Sequence, residues 1–402
     1  MRFVDEGNEA LGLFEAAARG YPASGVFSPT SDADLRPAIY APESTFRESS
    51  SSAIAALFPE DVDPLLADRL AARAFPQAPA GFLRGDDILV ADYTAGPSGS
   101  AADSEAAFLA GILAQVARRK GPLLLLADGS GPDGAALSEA IAGLRDLSLA
   151  LLYPTGQAAC GLRGPRLARE GGQTSLIAVH GDRAAVDRLI RAAVGDAAGE
   201  ASGGAIAGMS VVAAGPANPA RVAARIVGLA SSFASLRKGV AGDFFIGVRG
   251  GEGFGLAACL WAWKLGLPLT GIILSVGDKG VLGIDPAGRR MVERFDAEYP
   301  GVIRSLALLH HVDRESAFRY RDELCALGGP KIDLASAMTL AASENALDAG
   351  LRGHARIIVP WGASLVWDEG LSGSELGAAL RDARVDAEIS PSLDELTSAL
   401  TA

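Results

Sequence analysis

Three glycine-rich turns hold most of the residues that could do chemistry in this chain. The first is Ala95-Gly96-Pro97-Ser98-Gly99-Ser100-Ala101-Ala102-Asp103, between an apolar run and a helical pattern through Phe108, Leu109, Ile112, Leu113 and Val116. The second is Ala127-Asp128-Gly129-Ser130-Gly131-Pro132-Asp133-Gly134-Ala135-Ala136, after the leucine run 123–126. The third is Val248-Arg249-Gly250-Gly251-Glu252-Gly253-Phe254-Gly255, which opens a helical pattern over 256–265. Glycine lets a backbone come close to whatever such a turn faces. The second segment also reads as a plain strand-to-helix turn, and Arg249 with Glu252 also reads as a surface ion pair worth little.

Other reactive types point to less. His310 and His311 lie near Asp313, but adjacent side chains on a strand or helix diverge, so no metal site is expected. His180-Gly181-Asp182 reads as a strand end and helix cap. No Gly-x-Ser-x-Gly follows a strand, which argues against serine-hydrolase chemistry. Cys160, Cys259 and Cys325 are widely separated, so buried reduced thiols are expected rather than a disulfide framework or a zinc site. Lys264 and Lys279 are the nearby amines that could be nominated for such chemistry, and neither lies in the first turn.

The elements that must position these residues alternate. Apolar runs of strand length occur at 88–90, 123–126, 149–153, 175–179, 244–248, 271–275 and 356–360, with helical patterns between them. That alternation predicts a mostly parallel sheet covered on both faces. The first ~85 residues read as helical, with Leu11, Phe14 and Ala18, and later Leu65, Leu66, Leu70 and Phe75, forming apolar stripes. The serine run 49–52 between them is expected to be a loop and helix cap. The Gly- and Ala-rich stretch 195–208 is expected to be a loop.

Composition bounds the rest. A chain of 402 residues, 49% hydrophobic and 21% charged, can bury a large core and has room for two or three domains. Its net charge of -12 argues against nucleic acid and anionic membrane surfaces. The N-terminus lacks a signal-peptide core, and no apolar run nears the ~18 residues of a membrane span, so a cytoplasmic protein is expected.

Together these motifs resemble the threonine synthase family. Gly96, Pro97, Ser98 and Asp103 match the family's Gly-Pro-Thr turn and the Asp of its Phe-Lys-Asp, whose lysine forms the Schiff base with pyridoxal phosphate. Here the Phe-Lys pair is Ala101-Ala102. The second segment resembles the substrate loop Thr-Ser-Gly-Asp-Thr-Gly, without its threonines and with Pro132 removing an amide. The third resembles the loop whose amides cradle the cofactor phosphate, with Glu252 in place of Asn. Gly20 with the stretch 25–29, Asn218-Pro219-Ala220-Arg221 and Val359-Pro360-Trp361-Gly362-Ala363 resemble further family segments. In the last of these the hydroxyl that meets the pyridine nitrogen is missing.

The resemblance implies an α/β protein of the tryptophan-synthase-β-like, fold type II architecture. It implies two α/β domains with mostly parallel sheets plus a helical N-terminal region, over about 1–86, 87–210 and 211–402. It implies Gly250, Gly251, Gly253 and Gly255 as a vestigial phosphate loop, and Ser98, Ser130 and Asn218 as vestigial substrate contacts. A lysine amine holds the cofactor and shuttles protons, and alanine does neither. The expectation is therefore a pseudoenzyme of threonine-biosynthetic ancestry, without covalently bound pyridoxal phosphate, facing a small anionic metabolite or phosphate. The alternative is an active lyase or synthase with altered chemistry.

Overall fold

Each of the seven apolar runs forms a parallel strand in the computed structural model. The model describes residues 1–4, 9–20, 28–41, 43–129, 132–155, 173–195, 205–206, 208–236, 243–249, 252–277, 286–363 and 386–401. Ser130, Gly250, Gly251, Lys279, Cys160 and most of the stretch 195–208 lie outside the described residues. In chain order, β1 (Arg2–Val4) and β2 (Ala10–Leu11) pair antiparallel, and β3 (Ser28–Thr30) completes their small sheet.

The chain gathers into two compact units. One comprises Met1, 30–95 and 225–370; the other comprises 2–29, 96–224 and 371–402. Each therefore draws on separated stretches of chain rather than on one segment such as 87–210, because a parallel sheet recruits strands distant in sequence.

The first unit holds a six-stranded sheet. Its strands are β4 (Ala80–Arg84), β5 (Ile88–Asp92), β11 (Asp243–Val248), β12 (Gly271–Val276), β13 (Ala307–His311) and β14 (Ala355–Trp361), in the order β13-β12-β11-β14-β5-β4. All pairs are parallel except the edge hairpin β4–β5. On one face Ile88, Val90, Phe245, Ile273, Ile357 and Val359 bury against Ala337, Leu340 and Ala341 of the helix Leu334–Ala346. The small residues allow close packing: a Cβ added to Gly247 would lie 2.4 Å from Thr339 Cγ2.

The second unit holds β6 (Leu123–Asp128), β7 (Leu147–Pro154), β8 (Thr174–Val179), β9 (Ala205–Ile206), β10 (Met209–Ala213) and β15 (Ala387–Ile389), in the order β15-β8-β7-β6-β10-β9. Only β9, against β10, runs antiparallel. Leu124, Leu126, Leu152, Ile177 and Val179 pack against Val186, Leu189 and Ile190 of the helix Arg183–Gly195. The strands β9, β10, β13 and β15 carry too short or too mixed an apolar pattern to stand out as runs.

Both sheets contain a reversal of strand order. In the first unit the chain steps β11, β12, β13 one way while β14 lies on the other side of β11; in the second it steps β6, β7, β8 one way while β10 lies on the other side of β6. The carboxyl ends of the strands flanking such a reversal leave a crevice where α/β proteins bind ligands.

The serine run corrects the sequence expectation. Residues 49–52 lie inside the helix Phe46–Leu57, capped instead by Thr45 and Glu48 in a reciprocal capping box. Ser50 is accommodated by bonding its hydroxyl to the Phe46 carbonyl one turn back (2.9 Å). Among the described residues no helix is long and apolar enough to cross a membrane.

Candidate functional site

In the second unit the turn over residues 96–101 leads into the helix Ala102–Lys120. Asp103 organises it: its carboxylate accepts the backbone N–H of Ser98 at 3.1 Å and of Ser100 at 3.5 Å. Gly96 is required by contact, since a Cβ there would sit 2.3 Å from Asp103 Oδ2. Burial outweighs the hydrogen bonds and raises the Asp103 pKa above its ordinary value. Ala102 is the first residue of the helix, with its N–H on Ser100 Oγ (3.2 Å) and only 8% exposure. Its methyl group has no donor, acceptor or nucleophile. Ser98 is buried beside it.

A charge cluster lies just past the carboxyl ends of β6 and β10 in the same unit. Arg221, on the helix Pro219–Leu236, is fully buried. Its Nε donates to Glu105 at 3.1 Å and its Nη2 to Asp133 at 2.5 Å. A guanidinium suits this role because its fork of donors serves two carboxylates at once. Asp133 lies in the first turn of the helix Pro132–Ile141, where a carboxylate complements the helix dipole. Pro132 opens that helix, where its missing N–H leaves no helical bond unmade.

Asn218 is also fully buried. Its Nδ2 donates to the carbonyls of Ala17 (3.0 Å) and Ala213 (2.9 Å), and its Oδ1 accepts from Ala220 N (3.0 Å). Both amide hydrogens are thus engaged by the chain's own backbone. Nearby, Gly20 has φ +75°, with Ala213 N 2.9 Å from where a Cβ would stand, so glycine is needed twice over.

In the first unit the end of β5 meets the end of β14, where Tyr93 N donates to the Trp361 carbonyl (3.1 Å). Tyr93 donates its hydroxyl to Ser232 Oγ at 2.8 Å, and burial pushes its pKa up to about 12. Trp361 Nε1 donates to the Ala363 carbonyl at 2.7 Å, so the ring is tied to its own turn. The hydroxyl at this turn comes from Ser336, which accepts from Gly362 N (3.4 Å) and donates to Asp333 (2.5 Å).

The end of β11 leads to the helix Gly253–Lys264, with Glu252 just before its first residue. Arg249 is not the ionic partner of Glu252. Arg249 is exposed and contributes its carbonyl to Glu252 N (3.1 Å), while the Glu252 carboxylate pairs with Arg225 at 3.5 Å. Arg225 also lies 5.8 Å from the centroid of the Phe254 ring. A Cβ on Gly255 would come within 3.1 Å of the Glu252 carboxyl carbon. The carboxyl group therefore lies over the first turn of the helix. Gly253 and Gly255 are in that turn.

Comparison with known proteins agrees with this geometry. The chain is 28% identical over 271 residues to the threonine synthase of Serratia marcescens, a match covering 66% of this chain and 61% of that relative's own length. The solved threonine synthase from Escherichia coli aligns with a TM-score of 0.79 at 19% identity, over 100% of this chain and 99% of that one. The fold is that of the threonine synthases. The pyridoxal-phosphate-bound threonine synthase from Brucella melitensis aligns with a TM-score of 0.73 at 15% identity, over 100% and 99% of the two chains. No protein-family model matches the chain. Threonine synthases are thus homologues of this chain at low identity, and the fold type II architecture is shared.

Within that threonine-synthase fold, the described residues from the expected set divide cleanly. Ser98 and Ala102 share one turn, Asn218 clamps the backbone, and Gly253 and Gly255 lie in the first turn of a helix close to the Glu252 carboxyl group. Sequence reading missed Glu105, Arg225, Ser336 and Tyr93, and named Asp133 without its partner. One signal was present: Glu105 and Arg221 are charges set among small and apolar neighbours, Ala106, Phe108 and Leu109 for one and Val222, Ala223 and Ala224 for the other. No group of three His, Cys, Asp or Glu that could hold a metal occurs among the described residues.

Proposed function

We propose that this chain is a threonine-synthase-like pseudoenzyme that does not make threonine from O-phosphohomoserine and acts through binding or regulation. The observation that carries the reading is Ala102, the first residue of its helix, where the family's chemistry requires a lysine amine. The residues present do not fit pyridoxal phosphate. Position 102 offers only a methyl group, and Glu252 sets a carboxylate over the helix turn expected to receive the phosphate. Trp361 and Ser336 are bonded to their own surroundings rather than offered to a ring nitrogen. Lys264, the nominated amine that lies among the described residues, ends its helix rather than opening it. Losing a positioned proton shuttle alone costs on the order of a hundredfold or more in rate. A fold keeps its shape when its site chemistry changes, because backbone geometry depends on glycines and core packing rather than on reactive side chains.

The test is to incubate the purified chain with pyridoxal phosphate, treat it with borohydride, and search all lysine peptides by mass spectrometry. The expected result is no stoichiometric adduct and no phosphate release from O-phosphohomoserine. A stoichiometric lysine adduct with turnover would refute the proposal.

A further inference from the structure

We propose that Glu252 is a built-in anion, held by Arg225 over the first turn of the helix Gly253–Lys264, and that it keeps phosphate away from this helix end. The proposal concerns this carboxylate alone and does not depend on Ala102.

The first N–H groups of a helix lack intrahelical acceptors and carry a partial positive charge, so an anion is favoured there. The Leu256 amide closes onto the Glu252 carbonyl at 3.1 Å. That leaves the amides of Gly253, Phe254 and Gly255 ahead of the first backbone helical bond. The Glu252 side chain makes no capping hydrogen bond to these amides and acts on them through its charge, with its carboxyl group close to Gly255. A side chain at that position would meet the Glu252 carboxyl carbon at 3.1 Å and Oε2 at 3.3 Å, tighter than a relaxed contact.

Arg225 pairs with the carboxylate at 3.5 Å and itself lies 5.8 Å from the Phe254 ring centroid. The buried Cys259 thiol, one turn further along the helix, registers the same charge. Burial raises its pKa first and Glu252 raises it further, while Arg225 opposes. The cation that would attract an external phosphate is therefore already paired, and the phosphate would have to approach a carboxylate of like charge. Both effects act against a dianion more strongly than against a neutral ligand.

The experiment compares the full-length chain with Glu252→Gln, Glu252→Asn and the double variant Glu252→Gln/Arg225→Met. Each is titrated with inorganic phosphate by calorimetry at constant ionic strength, and circular dichroism verifies its fold. Neutralising Glu252 is expected to tighten phosphate binding at least about tenfold, equivalent to removing roughly 1.4 kcal/mol of opposition. The double variant is expected to lose that gain, because the released arginine supplies it. Phosphate bound equally well by the wild type and by both single variants would overturn the proposal. So would the absence of binding in both single variants, or a gain that survives removal of Arg225. The lysine-adduct experiment reads a different group, so either proposal can fail while the other stands.

Discussion

Replacing Gly96 with Ala tests how tightly the 96–103 turn is built. Gly96 is not in a left-handed conformation, so an alanine there meets no backbone penalty and the cost must come from contact. The added Cβ would lie 2.3 Å from Asp103 Oδ2, 2.6 Å from its Cγ and 2.7 Å from its Cβ. Rotating the carboxylate relieves the first two clashes but not the third, because the Asp103 Cβ is fixed by the helix. The turn must therefore shift, breaking the bonds from Ser98 N at 3.1 Å and Ser100 N at 3.5 Å. A hydrogen bond to a charged group is worth about 1.5–3 kcal/mol. The second bond is at the distance limit, so a loss of about 2–4 kcal/mol is expected for Gly96→Ala. Asp103→Gly removes the same bonds together with the obstructing Cβ, so adding Gly96→Ala to it should cost little more. The expected coupling is about 2 kcal/mol, within the range for residues in contact. The assay is urea unfolding followed by far-ultraviolet circular dichroism, with hydrogen exchange of peptides from 102–120 as a local readout. Strict additivity of the two substitutions, or Gly96→Ala within about 0.5 kcal/mol of the wild type, would refute the contact argument.

Two further outcomes follow from the same unit. Arg221→Met should destabilise by about 3–5 kcal/mol, because it removes the counter-charge that Arg221 supplies to the buried Glu105; Glu105→Gln in the same chain should recover part of the loss in the same urea assay, and no recovery would contradict this account. Asp103→Asn gives a pH test. Because burial raises the folded pKa of Asp103 above its ordinary 3.8, the folded state binds its proton more tightly than the unfolded state. The wild type should therefore lose stability relative to Asp103→Asn as pH rises from about 3.8 through the raised folded value, and the difference should be flat above it. A relative gain over that window would reverse the sign.

Most of the fold was legible because its signals are local. The leucine run before Asp128 becomes β6 and the run 244–248 becomes β11, since a strand buried on both faces must be apolar throughout. The turn from Gly96 likewise leads into the expected helix, which begins at Ala102. The serine run was misread because serine favours caps in general, while here Thr45 and Glu48 already provide the cap and leave the serines to the helix interior. The partner of Glu252 was misassigned for a related reason: Arg249 is near in sequence, but Arg225 is near in space.

What the sequence by itself determined is the chemical inventory. With alanine at 102, no packing can create an amine on that side chain, and Glu252 brings a carboxyl group to its loop however the loop folds. Only the tertiary structure decided how the remaining groups are used. Arg221 reaches Glu105 across 116 positions of chain, and Asn218 gives both amide hydrogens to the backbone of Ala17 and Ala213. The physical reason is that residue type is covalent and local, whereas a charge pair or hydrogen bond depends on distances set when strands far apart in sequence are brought into one sheet.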